Sequence, residues 1–245
     1  MPLFEICSNS FESAKNAQTA GADRIELCAN LEAGGTTPSY ASIKLCRENL
    51  DIPINVLIRP RSGDFLYNEF EFQEIIMDVK KCKELGINGI VCGFLNSNGT
   101  VDIDKTKKII ELSYPLSFTF HRAFDVSRDP YESLENIISC GATRILTSGT
   151  APKVIESTEI LSKLVEQAGE RIIIMPGSGI NENNIVELHS KVKAKEYHFS
   201  GTVREDSQMT FRKNNIISTE KFDYTKQISN IEKIKETIKK VKAKE

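Results

Sequence analysis

Residues 21–28 read GADRIELC, and the same frame returns as GINGIVCG at 86–93 and as GATRILTS at 141–148. In each copy a glycine follows an apolar helical stripe, where a left-handed C-terminal cap is expected. An isoleucine stands four residues further on, so each copy reads as a helix end running into a strand. The first and third copies lie 120 residues apart, a spacing that fits duplication of a half-barrel of four βα units. Working outward from this frame, short apolar runs recur along the whole chain: FEICSNS (4–10), RIELCAN (24–30), VLIRPRSGD (56–64), IVCGFLN (90–96), TFHRAFD (119–125), ILTSGT (145–150), IIMPGSG (173–179) and YHFSGT (197–202). The gaps between them mostly read as amphipathic helices. That alternation predicts an α/β fold, a single (β/α)8 TIM barrel, with its reactive groups gathered at the C-terminal mouth.

The 245 residues suit one barrel of about 250 residues better than two domains. Residues 1–202 are expected to form the barrel core. Residues 203–245 are expected to add an irregular segment and a terminal helix that closes the same domain. That helix is read from Lys226 onward, with Ile228, Ile231, Ile234, Ile238 and Val241 on one face. Asp129-Pro130-Tyr131-Glu132 reads as a capping box with proline at the first helical position.

A net charge of −2 argues against a general nucleic-acid partner. No apolar stretch approaches the 18 residues of a membrane span, and MPLFEICSNS enters a strand without a basic region or cleavage signal. A cytoplasmic location is expected. The six cysteines form no C-x-x-C pair, so free thiols are expected in a reducing compartment. Cys46, Cys82 and Cys140 fall on apolar helix faces and read as core filler.

Alternation along a strand puts Glu5 with Cys7 on one face of the first strand, and Glu26 with Cys28 on one face of the second. Neighbouring strands then set two E-x-C motifs side by side. Buried glutamates need partners, and Arg59 and Arg61, on one face of RPR, are the expected ones. Two readings fit: an ion-pair cluster that fixes strand register with the thiols as small hydrophobes, or a functional site. Because buried charge is costly to desolvate, its place at the barrel mouth favours a site.

His121, Arg122 and Asp125 follow strand 5, beside Phe118, Phe120 and Phe124, and His121 suits an acid, a base or a ligand. His198 is in phase with Glu196 and Ser200 and is expected to face the mouth opposite His121. His189 is expected on the surface at a helix C-terminus. The loops after the last strands are glycine-rich, and open backbone N–H groups there would suit an anion. Gly177, Ser178, Gly179, Ser200 and Gly201 form that expected cradle, with Ser148 and Gly149 beside it. This set suits an enzyme acting on a small anionic or phosphorylated metabolite. Arg59 and Arg61 would neutralise the substrate, and His121 with Glu5 or Glu26 would move protons. A scaffold whose oligomer surface alone matters would have no use for so many polar groups at one end.

Several stretches resemble the CutC copper-homeostasis family: EIC at 5–7, GADRIELCANLEAGGTTPS at 21–39, IRPRSGDFLY at 58–67, TFHRAFD at 119–125, LTSG at 146–149, MPGSGI at 175–180 and HFSGT at 198–202. They span about 200 residues in order. The resemblance implies a cytoplasmic TIM barrel that forms homo-oligomers and is linked to copper tolerance. It further implies Cu(I) held by the thiolates of Cys7 and Cys28, a pairing that soft-ligand chemistry favours. A structural zinc site, which needs four ligands, fits less well.

Overall fold

The computed structural model describes residues 1–212 and 224–242. Eight short parallel strands alternate with helices: β1 (Leu3–Ser8), α1 (Phe11–Thr19), β2 (Arg24–Leu27), α2 (Tyr40–Asn49), β3 (Ile54–Leu57), α3 (Glu69–Glu84), β4 (Gly89–Cys92), α4 (Ile103–Ser113), β5 (Ser117–Phe120), α5 (Pro130–Cys140), β6 (Arg144–Thr147), α6 (Thr158–Ala168), β7 (Ile173–Pro176), α7 (Ile185–Val192) and β8 (Glu196–Phe199). The ladder runs β7-β6-β5-β4-β3-β2-β1-β8. A parallel bridge from Gly177 to His198 closes it into a barrel.

Local chemistry sets the helix limits. Asn68 accepts from the Glu71 N–H while the Glu71 carboxylate accepts from the Asn68 N–H, a complete capping box at the start of α3. Asp129 caps α5 through the N–H groups of Tyr131 and Glu132. The reciprocal half of that expected box is missing, because Glu132 turns to Arg128 at 3.1 Å. Gly141 ends α5 at φ 86°, as its place in the repeated frame requires. Cys46, Cys82 and Cys140 are all buried on their helices.

The strands sort their side chains by parity. Phe4, Ile6, Ile25, Leu27, Ile54, Val56, Tyr197 and Phe199 join the main apolar core with the helices. The alternate positions, among them Glu5, Arg24, Glu26, Asn55, Arg144, Glu196 and His198, are buried polar groups that fill the barrel axis. Aliphatic layers normally fill such a barrel; here the filling is largely ionic.

The C-terminal segment differs from expectation. Thr202–Asp206 (β9) and Thr225–Ser229 (β10) pair antiparallel where an irregular stretch was expected, and residues 213–223 lie outside the described residues. The terminal helix, α8, spans Ile231–Lys242. Ile228 therefore belongs to β10, not to the helix, because Asn230 caps α8 by accepting from the Lys233 N–H. Ile234, Ile238 and Val241 are buried from α8, which packs beside α7 and α1 and takes the place of the eighth barrel helix.

Candidate functional site

Three carboxylates and two guanidiniums meet on the barrel axis. Glu5, fully buried, accepts from Arg24 Nε, from Asn55 Nδ2 at 2.9 Å and from His198 Nδ1 at 2.9 Å. Arg24 reaches on to Glu196, whose carboxylate also accepts from Arg144 Nε at 3.1 Å. Arg144 extends to Thr119 Oγ1 at 3.3 Å. Burial alone would raise the Glu5 pKa, but Arg24 and then His198 outweigh it and hold the group well below the usual carboxylate range.

Glu26 has no such support. His198 Nδ1 lies 3.5 Å from its Oε2, and that oxygen has no hydrogen-bond partner among the described residues. Burial raises the Glu26 pKa to about 7, against the opposing pull of His198. For His198, burial disfavours the charged form, yet Glu26 and Glu5 outweigh it and raise its pKa. Glu26 and His198, 3.5 Å apart, thus form a coupled pair between which a proton can be shared.

Above this floor lies a cavity of about 280 Å³ lined by Cys7, Glu26, His198, Arg59, His121, Arg122, Phe65 and the Ser178–Ile180 loop, among others. His121 Nδ1 accepts from the Ala123 N–H at 3.2 Å, which assigns the ring proton to Nε2. Burial, aided by the Arg59 charge, pushes its pKa down to about 3, so the ring is neutral and Nε2–H is a donor without a partner among the described residues. Phe65 packs on the imidazole with ring centroids 4.8 Å apart. Arg59 is 5% exposed and donates only to main-chain carbonyls, those of Ala33, Gly35 and Gly63. No carboxylate pairs with it among the described residues.

The Sγ atoms of Cys7 and Cys28 lie 3.7 Å apart, packed with Leu57 and Val91. The thiol pair's own hydrogen bond, then burial, then nearby Cys28, Glu26 and Glu5 raise the Cys7 pKa well above its ordinary value. These two thiols are the residues that would hold a soft metal ion here, and as thiolates they would supply two sulfur ligands to it. Soft thiols with an open side toward the cavity suit Cu(I). Glu5, Glu26 and His198 also place donor atoms within 4.8 Å of one another. Glu5 is already bound to Arg24, Asn55 and His198, so hydrogen bonds close that trio.

The CutC family profile matches residues 2–203. The chain belongs to the CutC family. A family protein CutC from Parabacteroides distasonis is 46% identical over 215 residues, covering 87% of this chain and 88% of its own. The human copper homeostasis protein cutC homolog is 38% identical over 236 residues, covering 95% and 86%. A crystal structure of a CutC described as a copper homeostasis protein, from Streptococcus agalactiae, superposes with a TM-score of 0.78 at 34% identity. It covers 82% of this chain and 99% of its own.

Within this CutC barrel the expected residues divide. Glu26, Cys7, Arg59, His121, Gly179 and Ser200 line the cavity, with Glu5 directly beneath. The others serve the frame. Arg61 does not partner the glutamates: it pairs with Glu71 and with Asp64 at 3.0 Å, bracing the start of α3. Asp125 accepts from Thr147 Oγ1, from Ser148 N–H and Oγ–H, and from Thr150 N–H, so it braces the loop after β6 instead of meeting the cavity. Ser148 and Gly149 thereby lose their place in the cradle, since the Ser148 N–H is bonded to Asp125 and the Gly149 N–H to Thr147 Oγ1. Gly177 donates to Thr147 O, and a Cβ at Gly201 would strike Ile234, so both are packing glycines.

Register also corrects the picture of adjacent E-x-C motifs: Cys7 stands opposite Glu26, and Glu5 opposite Arg24. The thiols meet on the diagonal. His189 lies in the last turn of α7, as expected, but it is half-buried, with Nδ1 2.9 Å from the Tyr197 hydroxyl. Arg24 and Arg144 are the partners that sequence reasoning missed. A signal for them exists, because they occupy the same position in the repeated frames GADRIEL and GATRIL.

Proposed function

We propose that this CutC family member acts in copper homeostasis by binding one Cu(I) ion through Cys7 and Cys28 at the barrel mouth. The observation that carries the reading is the 3.7 Å approach of two reduced thiols, one of which lines the cavity. Metal binding must displace protons that the neighbouring carboxylates help retain, so affinity should rise with pH. Thiols kept reduced fit the cytoplasm, and no helix among the described residues is long and apolar enough to cross a membrane. The exposed Phe70 and Met77, seven residues apart on α3, fit an oligomer contact. An anaerobic Cu(I) competition titration of the chain, Cys7→Ser and Cys28→Ser tests the site. Tight binding of one ion, lost in either variant, supports it; binding indifferent to both substitutions sinks it.

A second reading is favoured by the Glu26–His198 pair. It makes the mouth a proton-transfer centre for a small anionic metabolite, with neutral His121 as a hydrogen-bond donor. Deuterium wash-in from D2O into small anionic carbonyl compounds, followed by NMR, tests this reading. Absence of any incorporation that depends on Glu26 would rule it out.

A further inference from the structure

The floor of the cavity is balanced within itself, with Glu5, Glu26 and Glu196 set against Arg24, Arg144 and His198. The rim is not. Arg59 is a buried cation whose donors reach only carbonyl oxygens, and an uncompensated buried charge is expensive. Arg122 lines the same cavity; Asp125 and Ser148 Oγ hold it at 2.7 and 3.1 Å, fixing its side chain. Lys153 lays its stem along the loop after β7, 3.6 Å from where a Gly179 Cβ would stand, and pairs with no carboxylate among the described residues.

That loop supplies a second, independent observation. Ser178 and Gly179 both adopt positive φ, 84° and 80°. For serine this conformation carries strain, which structures retain where a backbone must present itself in a set way. Ser178 is locked there by its hydroxyl on Pro152 O at 2.9 Å and by its carbonyl, which accepts from the Val154 N–H. The N–H groups of Ser178, Gly179, Ile180 and Ser200 make no hydrogen bond to the described residues, and all four residues line the cavity. Backbone donors left open beside Lys153, in a cavity that Arg122 also lines, match an oxyanion with several acceptor oxygens.

We propose that the mouth binds a small phosphomonoester, its phosphate on the main-chain N–H groups of Ser178–Ile180 and Ser200 beside Arg122, and its hydroxylated body turned down toward His121 and His198. The cavity of about 280 Å³ limits that body to a few carbons. Phosphate is preferred to carboxylate because four backbone donors and a guanidinium exceed what two carboxylate oxygens readily satisfy. The proposal refines the second reading above by naming its anion as a phosphate ester; Cys7 lines the same cavity, and amide shifts report phosphate binding independently of both proton transfer and copper binding.

The test uses the full chain, labelled with 15N, titrated with glycerol 3-phosphate, ribose 5-phosphate and inorganic phosphate, and with glycerol and ribose as unphosphorylated counterparts. The expected result is a saturable shift of the Ser178, Gly179, Ile180 and Ser200 amides with at least one ester, and none with the free alcohols. Arg122→Met should weaken that binding about tenfold or more. Lys153→Met, at an exposed position that the fold does not need, should weaken it by a smaller factor and so guards against misreading a folding defect in the first variant. No saturable shift with any phosphate probe overturns the proposal. So does ester binding untouched by both substitutions. Inorganic phosphate binding as tightly as every ester would overturn the assignment of a metabolite body.

Discussion

Replacing His121 with asparagine should remove an acid sensitivity that the native chain carries. The folded imidazole is held at about 3, against an ordinary 6.5 in the unfolded chain. A histidine with a depressed pKa is protonated first in the unfolded state, so stability is lost as pH falls below about 6.5 and continues to fall toward pH 3. Between pH 7 and pH 5, these two values give a loss of about 2 kcal/mol from this residue. Asparagine retains an acceptor for the Ala123 N–H, the one hydrogen bond that Nδ1 makes, and has nothing to titrate. Its smaller size will lower stability at every pH, so the quantity to read is the slope.

Urea unfolding of both proteins at pH 7 and pH 5 supplies that slope. The native chain should lose about 2 kcal/mol more than His121→Asn over the interval. Glu26 and His198 are present in both proteins, so whatever they contribute to the slope cancels in the comparison. Equal slopes, or a His121 resonance that titrates near 6.5, would refute the claim that burial and Arg59 keep this ring neutral.

Two other substitutions probe the frame. Arg24→Met leaves Glu5 and Glu196 buried beside fewer cations and should cost about 3–5 kcal/mol in urea unfolding, as breaking a buried pair does; a negligible loss would mean that Arg24 does not hold the floor together. Asp125→Ala removes the acceptor shared by Thr147, Ser148 and Thr150 and should cost about 2–4 kcal/mol; hydrogen exchange should rise in residues 147–150, and unchanged exchange there would sink the bracing role.

What the sequence made legible was whatever depends on neighbours along the chain. Strand parity alone places Glu5 with Cys7 and Glu26 with Cys28, and the burial of all four follows from it. Parity failed where the strand stopped. β3 ends at Leu57, so Arg59 and Arg61 lie in a loop, and Pro60 breaks the alternation that would have set them on one face. Arg59 turned to carbonyls of the preceding loop and of its own, at Ala33, Gly35 and Gly63, while Arg61 turned to Glu71. The tail failed for a different reason. Isoleucines at 228, 231, 234 and 238 satisfy a helical stripe, yet Asn230 is a strong N-cap and starts the helix behind Ile228. The glycine loops were ambiguous by nature. Gly149 is needed because a Cβ would strike Ser157 and Leu161, whereas Gly179 leaves its N–H open, and only tertiary structure separates the two uses.

The ionic floor itself bears on function. Isosteric apolar residues in place of a buried charge network are often neutral or stabilising, and branched aliphatic side chains are the usual filling of this fold. A chain selected for stability alone would have no reason to keep three glutamates, two arginines and a histidine on its axis. The network's geometry shows what it secures. Arg24 and Arg144 neutralise Glu196, and Arg24, Asn55 and His198 fix Glu5. Glu26 is then left as the one carboxylate of the group whose oxygen lacks a hydrogen-bond partner among the described residues, and it faces the cavity. The cost of burying four other charged groups is spent on holding that carboxylate and His198 at a defined place under the mouth. That arrangement keeps a carboxylate and an imidazole 3.5 Å apart at the cavity floor, held in place by the ion pairs beneath them.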